Sequence, residues 1–356
     1  MGFRRYAPIL FLALFVVAVQ LVLSAARATY YLTQLTMAVY YSLLILGLCL
    51  LMGYAGQISL GHAGFFAIGG YASALLSTHN LLPHADSFLV RSLQGLGLLV
   101  ERQDLYGHTI VYFSPWVALA VAMAITAALA LLIGLPVIRL RGHYLAMATL
   151  GFGIIIYRIV LGTPGLGEAD GFSDVPPFRL FGALQINGRT PFRVQNYYIA
   201  WAMVIAVMIL GINLVRSRVG RALRSIHENE EAAHALGINV ARYKLAVFIF
   251  SALLAALAGT CLTHYNGGIG PSETTAMKSI RYVAIVAAGG MANLWGALAM
   301  GVVLNFLSLR GVFGSYDDAV FGLILIVIML FAPQGIVRMP RWFSKAGKKL
   351  HGSAAS

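Results

Sequence analysis

Apolar runs near the ~20 residues that cross a bilayer as a helix recur along the chain. They extend from Ala7 to Ala26, Tyr31 to Met52, Pro115 to Val137, Tyr144 to Leu161, Tyr197 to Val215, Leu245 to Thr263, and from Ala319 to Ala332 with its flanks. Each predicts a transmembrane helix, because a segment in lipid must satisfy its backbone hydrogen bonds internally. Two further apolar stretches, Gly53 to Leu76 and Ile280 to Leu309, are interrupted by glycines. They predict broken helices. The expected fold is therefore all-α, a polytopic transmembrane bundle of about 8 to 10 membrane segments, with a short helix in one soluble loop. The membrane domain is expected over residues 1–337, followed by a basic tail at 338–356.

Composition agrees with this pattern: 60% of the 356 residues are apolar and 10% charged, which excludes an ordinary water-soluble domain. Arg4 and Arg5, a long apolar run and Ala26-Arg27-Ala28 have the layout of a secretory signal. The run is long enough to span the membrane, so the expectation is that it stays as the first helix. Cys49 and Cys261 fall inside apolar segments with no metal or redox spacing and are expected to pack in the core.

The net charge of +13 would suit a nucleic-acid partner if it were spread evenly, but it follows membrane side instead. Arg4, Arg5, Arg139, Arg141, the stretch Arg216 to Lys244 and the tail from Arg338 hold 15 of the 25 basic residues and 3 of the 12 acidic ones. A Lys/Arg excess on alternate connections marks the cytoplasmic side, so both termini are expected there and no nucleic acid is implied. Parity then requires six crossings before the loop around residue 230 and an even number after it. Ile280 to Leu309 therefore cannot be one ordinary crossing. It must cross twice with one short helix, or dip in and return, with Gly289-Gly290 at the break.

Both interrupted stretches carry small residues four apart, Ser59, Ala63 and Ala67 in one and Ala288, Ala292 and Gly296 in the other. Such stripes let helices approach closely in lipid, and broken segments in corresponding halves point to an internal repeat with a substrate path between them. The long connections from His79 to Ser114 and from Thr163 to Asn196 read as exported caps for a partner.

No G-x-x-x-x-G-K-[ST] phosphate loop occurs, nor H-E-x-x-H, G-x-S-x-G or C-x-x-C. The chain is thus not expected to be an enzyme or to hold a metal or cofactor. The informative soluble segment is Arg216 to Lys244. Asn229 is a good N-cap, Glu230 and Glu231 suit the first turn, and Gly237 is placed to stop the helix. A helix of about two turns, Glu230 to Leu236, is expected between two spans. A basic loop resting on anionic lipid is the plainer reading of the same segment.

The run EEAAHALGINVARYKLAVFIFSALLAALAG from Glu230 to Gly259 resembles the coupling loop and following helix of ATP-binding-cassette import permeases. Taken with GYAGQISLGHAGFFAIGGYASALL (53–76), RGHYLAMATLGFG (141–153), AAGGMANLWGALAMG (287–301) and FAPQGIV (331–337), it is similar to the LivM-type permeases of branched-chain amino acid transport. That resemblance implies a bacterial inner-membrane importer. Its expected partners are a second related permease, two cytoplasmic ATPases that use the ATP, and a periplasmic or lipid-anchored binding protein. It also implies that Glu230, Glu231, Ala232, Ala233 and Gly237 form the ATPase-coupling element, with Ala232 and Ala233 as its flat surface. Ile154 stands where the family often has an acidic or amide side chain, and GLGEADGF (165–172) varies its glycine-rich segment. Urea, amides and small aromatic acids therefore stand beside branched-chain amino acids as cargo.

For the pathway, Gln57, Ser59 and His62 are polar groups costly against lipid, and Gly53, Gly56 and Gly61 expose backbone beside them. Either they line the substrate path, where a half-helix N-terminus would meet a carboxylate, or they bond neighbouring helices. An ion-driven secondary transporter is the alternative of a different class. It would need ionisable groups at mid-membrane, and Arg158, Arg310, Asp317 and Asp318 all sit near expected helix ends.

Overall fold

The computed structural model describes residues 3–82, 94–95, 98–103, 109–137, 140, 142–312 and 314–331. Arg139, Arg141, the FAPQGIV motif past Phe331 and the basic tail lie outside the described residues. The helices are α1 (Phe3–Ala25), α2 (Tyr31–Ala55), α3 (His62–Thr78), α4 (Pro115–Val137), α5 (His143–Gly162) and α6 (Arg193–Arg216). They continue as α7 (Arg218–Glu228), α8 (Glu230–Ala235), α9 (Val240–Asn266), α10 (Ala276–Gly289), α11 (Leu294–Leu309) and α12 (Asp317–Phe331). Two antiparallel hairpins sit in the long connections: β1 (Leu99–Gln103) with β2 (Thr109–Phe113), and β3 (Phe178–Phe181) with β4 (Leu184–Ile186). Glu101 pairs with Val111 in the first and Phe178 with Ile186 in the second.

Among the described residues six helices are long and apolar enough to cross a membrane: α1, α2, α4, α5, α6 and α9. The chain is a multi-pass membrane protein. Helix α2 is its axis, buried over nearly all its length and packed against α6, α9 and α11. In lipid no hydrophobic force holds helices together, so close packing must do it, and the sequence provides small residues where helices meet. A Cβ on Gly69 would lie 2.2 Å from the Ala256 carbonyl oxygen, and one on Gly259 1.9 Å from that of Phe66. These contacts seat α3 directly on α9. Helix α4 adds Ala118, Ala122, Thr126, Ala130 and Gly134, a buried stripe at four-residue spacing that faces α3 and α9.

The segment Ile280 to Leu309 is an antiparallel helical hairpin. Gly290, at φ +95°, turns the chain between α10 and α11, and a Cβ on Gly296 would meet the Gly289 carbonyl at 1.9 Å. At the open end Arg281 donates to Ser308 Oγ at 3.0 Å. The turn abuts the C-terminal end of α2, where the Tyr54 hydroxyl donates to the Ala292 carbonyl at 2.7 Å. Helix α11 then runs back along α2 until Arg310 donates to the Tyr31 hydroxyl at 2.8 Å. Helix α10, 14 residues and about 21 Å long, covers only part of a ~30 Å core. Residues 267–275 make up the rest by re-entering the bundle. Of the two expected paths, a hairpin whose second helix lies along α2 matches the double crossing with one short helix. The stripe Ala288, Ala292, Gly296 is accordingly not one helix face: Ala292 lies in the turn between α10 and α11.

The N-terminal end of α1 and the loop after α6 share one side, because α1 and α6 run antiparallel: Tyr6 donates to Asn213, and the Tyr197 hydroxyl to the Val16 carbonyl. On the other side the connections close over the bundle. Phe172 and Ile269 exchange two backbone hydrogen bonds of 2.9 Å, and His264 reaches the Pro176 carbonyl at 2.7 Å.

Candidate functional site

The polar loop Arg216 to Lys244 folds as two helices rather than the single one expected. Ser217 caps α7, accepting from the amides of Val219 and Gly220. Val219, Leu223 and Ile226 recur at helical spacing along α7, with Leu223 and Ile226 buried, a periodicity that was legible in the sequence. Asn229 ends α7 and caps α8, its Oδ1 accepting from Glu231 N and Ala232 N at 3.0 Å each. Gly237 follows at φ +80°, the left-handed region that favours glycine at a helix end. Replacing Asn229 by alanine removes the cap of a helix too short to stand alone. The expected cost is about 1 kcal/mol of local stability, read as faster amide exchange over residues 230–236 with the spans unaffected.

The two faces of α8 have separate duties. Ala233 is fully buried, so it anchors the helix and cannot share an outer surface with Ala232; the expected flat face of both residues is corrected to one built from Ala232 with Glu231, Ala235 and Leu236. Leu236 is 77% exposed, a large apolar side chain held outward on a polar loop. Glu230 faces inward and forms an ion pair with Lys244 of α9, whose side chain is 5% exposed. A buried ammonium requires such a partner, so the pair latches α8 to the first turn of α9.

Of the six residues singled out for a pathway, five are buried inside this chain. A Cβ on Gly53 would fall 1.5 Å from the Met291 carbonyl oxygen, and one on Gly61 2.6 Å from that of Thr149, so both glycines are helix-packing points. Gly56 is exposed at φ +67°, caps the end of α2 and faces the His227 ring. His62 is fully enclosed: Nδ1 lies 3.0 Å from Ser59 Oγ and Nε2 2.7 Å from Ser251 Oγ. The first amides of α3 are occupied too, since Ala63 N donates to Ser279 Oγ at 3.2 Å and Gly64 N to the Gly61 carbonyl. This N-terminus holds protein acceptors where the sequence suggested a carboxylate. The hydrogen-bonded junction thus ties α3 to α9 and α10. Only Gln57, buried with both amide atoms unpartnered, keeps free polar capacity there.

Sequence reasoning missed the helix-side partners Thr149 and Ser251, each a lone hydroxyl within an apolar run, and Ser279, which follows Lys278 just ahead of one. It also missed Glu273 and Lys278. Glu273 Oε1 accepts from Lys278 Nζ at 3.1 Å and from the Tyr41 hydroxyl at 3.0 Å. Tyr41 is about 15 Å along α2 from Tyr31, so the re-entrant segment places a carboxylate and an ammonium near mid-membrane. Arg281, one turn on, pairs with Asp318 at 2.9 Å and Asp317 at 3.4 Å. The two aspartates are therefore paired ions and not merely snorkelling ends.

A family model for the permease component of branched-chain amino acid transport systems matches residues 30–329. The chain is 31% identical over 350 residues to the high-affinity branched-chain amino acid transport system permease protein LivM of Salmonella typhimurium, covering 93% of this chain and 75% of that one. LivM of Escherichia coli gives 31% over 349 residues, 92% of this chain and 74% of the relative. LivH of Escherichia coli, described as a permease of the same kind of system, gives 25% over 320 residues, 87% of this chain and 96% of the relative. No solved structure matches the chain. The family match runs from the start of α2 nearly to the end of α12, so the chain belongs to the branched-chain amino acid transport system permease family.

Proposed function

We propose that this chain is a membrane-spanning permease subunit of an ATP-driven importer that carries branched-chain or related amino acids across the bacterial inner membrane. The observation that carries the reading is the family match across residues 30–329. In this reading both termini and the 216–244 loop are cytoplasmic, in keeping with the Lys/Arg bias of the connections. A second, related permease completes the pathway, as two permeases named LivM and LivH among the relatives suggest. Two ATPases hydrolyse the ATP, and an exported binding protein delivers cargo to the β-hairpin side.

The mechanism follows from how α8 is held. Glu231, Ala232 and Leu236 meet the motor, Ala233 and the Glu230–Lys244 pair hold α8 to the bundle, and Gly237 sets its angle to α9. A displacement of α8 passes to α9, whose contacts include Gly69 and Phe66 of α3 and, through Ser251, His62. ATP-driven closure of the motor would bias the bundle between two packings rather than bend it continuously.

The test is uptake by proteoliposomes holding the chain with its neighbouring transporter subunits, with ATP inside and binding protein outside. Labelled leucine, other amino acids and urea are offered in turn. ATP-dependent accumulation of leucine, isoleucine or valine is expected. Accumulation of urea or an aromatic acid alone would move the cargo, and accumulation driven by an ion gradient without ATP would overturn the importer reading.

A further inference from the structure

The Glu273–Lys278 pair is an unusual object for the interior of a bilayer. Its side chains are 19% and 24% exposed in this chain, beside Ser272 and the half-exposed Met277. Charges at that depth do not face hydrocarbon, so this face of α10 meets water or another protein surface. Glu273 Oε2 is buried without a partner, although Oε1 takes two donors. Lys278 has three donors and spends one on Glu273.

Around the pair stand two buried tyrosines, Tyr71 of α3 and Tyr282 of α10, whose hydroxyls are also unpartnered. Both lie within electrostatic reach of Glu273. Buried polar atoms are normally satisfied, so several unsatisfied ones about a half-used ion pair describe a site awaiting a ligand with both donors and acceptors. The neighbouring cation does not fill it, because Arg281 is held by Asp317 and Asp318. The walls are apolar: Phe66 stacks on Tyr41 at 5.6 Å, and Tyr282 lies 6.1 Å from the same ring.

We propose that Glu273 and Lys278 recognise the zwitterionic head of the cargo midway across the membrane, and this rests on the amino-acid importer reading above. The cargo ammonium binds Glu273 Oε2 and its carboxylate binds Lys278 Nζ, with the hydroxyls of Tyr71 and Tyr282 supplying further hydrogen bonds. The aliphatic side chain lies along Tyr41, Phe66 and Met277. A solute lacking either charge makes only one of the two charged contacts, and that disfavours its passage.

The test uses the assembled importer in proteoliposomes and labelled leucine. Glu273→Gln is expected to lower the uptake rate at saturating binding protein by at least tenfold. Glu273→Gln with Lys278→Met removes both charges and leaves neither orphaned. That double variant is expected to assemble at wild-type yield with uptake still at least tenfold down. A pair that only braces the fold would instead regain uptake within about twofold, which overturns the proposal. Tyr282→Phe deletes a hydroxyl that bonds nothing in this chain, so it tests the site without threatening the fold. An uptake drop of threefold or more is expected, and an unchanged rate counts against the site. A wild-type importer that moves no zwitterion overturns the parent reading and this one together, whereas wild-type uptake matched by Glu273→Gln overturns this one alone.

Discussion

Replacing Gly53 by valine is expected to leave little or no folded protein in the membrane. A Cβ there would sit 1.5 Å from the Met291 carbonyl oxygen, 2.3 Å from its carbon and 2.8 Å from Ala292 Cα. All three atoms are backbone in the turn of the α10–α11 hairpin, so no side chain can rotate out of the way. The turn must lift off α2, breaking the Tyr54 to Ala292 hydrogen bond and loosening α11, which packs extensively on α2. The expected loss is at least about 3 kcal/mol, the upper end of what overpacking usually costs. Gly151→Ala is the control: it is also helical, but a Cβ there meets nothing within 4 Å. Detergent-extracted yield and thermal melting, read by fluorescence-detected size exclusion, should separate the two variants clearly. Wild-type melting of Gly53→Val would show that the hairpin is not seated on α2.

Leu236→Asp is expected to have the opposite profile, with a stable chain and a silent transporter. Leu236 is 77% exposed at the end of α8, so a carboxylate there costs the isolated chain little. Against an ATPase groove the same change buries a charge, and a hot-spot loss of 2 kcal/mol or more corresponds to about thirtyfold weaker docking. Uptake should fall by at least tenfold while insertion and melting match wild type. Glu231→Lys and Gly237→Val should join it, leaving ATP hydrolysis by the partners uncoupled from transport. Gly237 adds a conformational reason, since φ +80° costs a branched residue about 1–2 kcal/mol and would swing α8 out of line. Unchanged uptake in all three variants would remove α8 from the coupling path.

The apolar periodicity made most of the bundle readable. Pro115–Val137 was delimited to the residue, and the sides of α1, α2, α5, α6 and α9 were found within a few positions, because a span in lipid has no choice but to be a helix. Charge parity went further, excluding one ordinary crossing for Ile280 to Leu309. Sequence did not reveal how deep the connection after α9 lies. Glu273 and Lys278 stand outside any apolar run and so resembled surface loop, whereas their depth comes from re-entry, a tertiary property. Ala233 and Gly53 failed for a related reason. Residue type says that a side chain is small, but whether smallness serves a partner outside or a helix inside depends on neighbours far along the chain. Helix α8 was legible because its cap, first-turn acids and stop glycine are all local.

Helix α2 shows how the timing of synthesis shapes composition. It ends at Ala55, while the helices that finally enclose it, α9 and α11, begin at Val240 and Leu294. During translation it must enter the bilayer and wait, surrounded by acyl chains, until about 240 further residues have been made and α11 begins. A core helix carrying buried charges would be comfortable at the end and unstable in the interval. That is a reason for α2 to carry no charged residue although it ends wrapped in protein, and for the junction chemistry to reside on Ser59, His62 and the later helices. The most deeply enclosed segment of the finished molecule is thus written for the lipid it meets first.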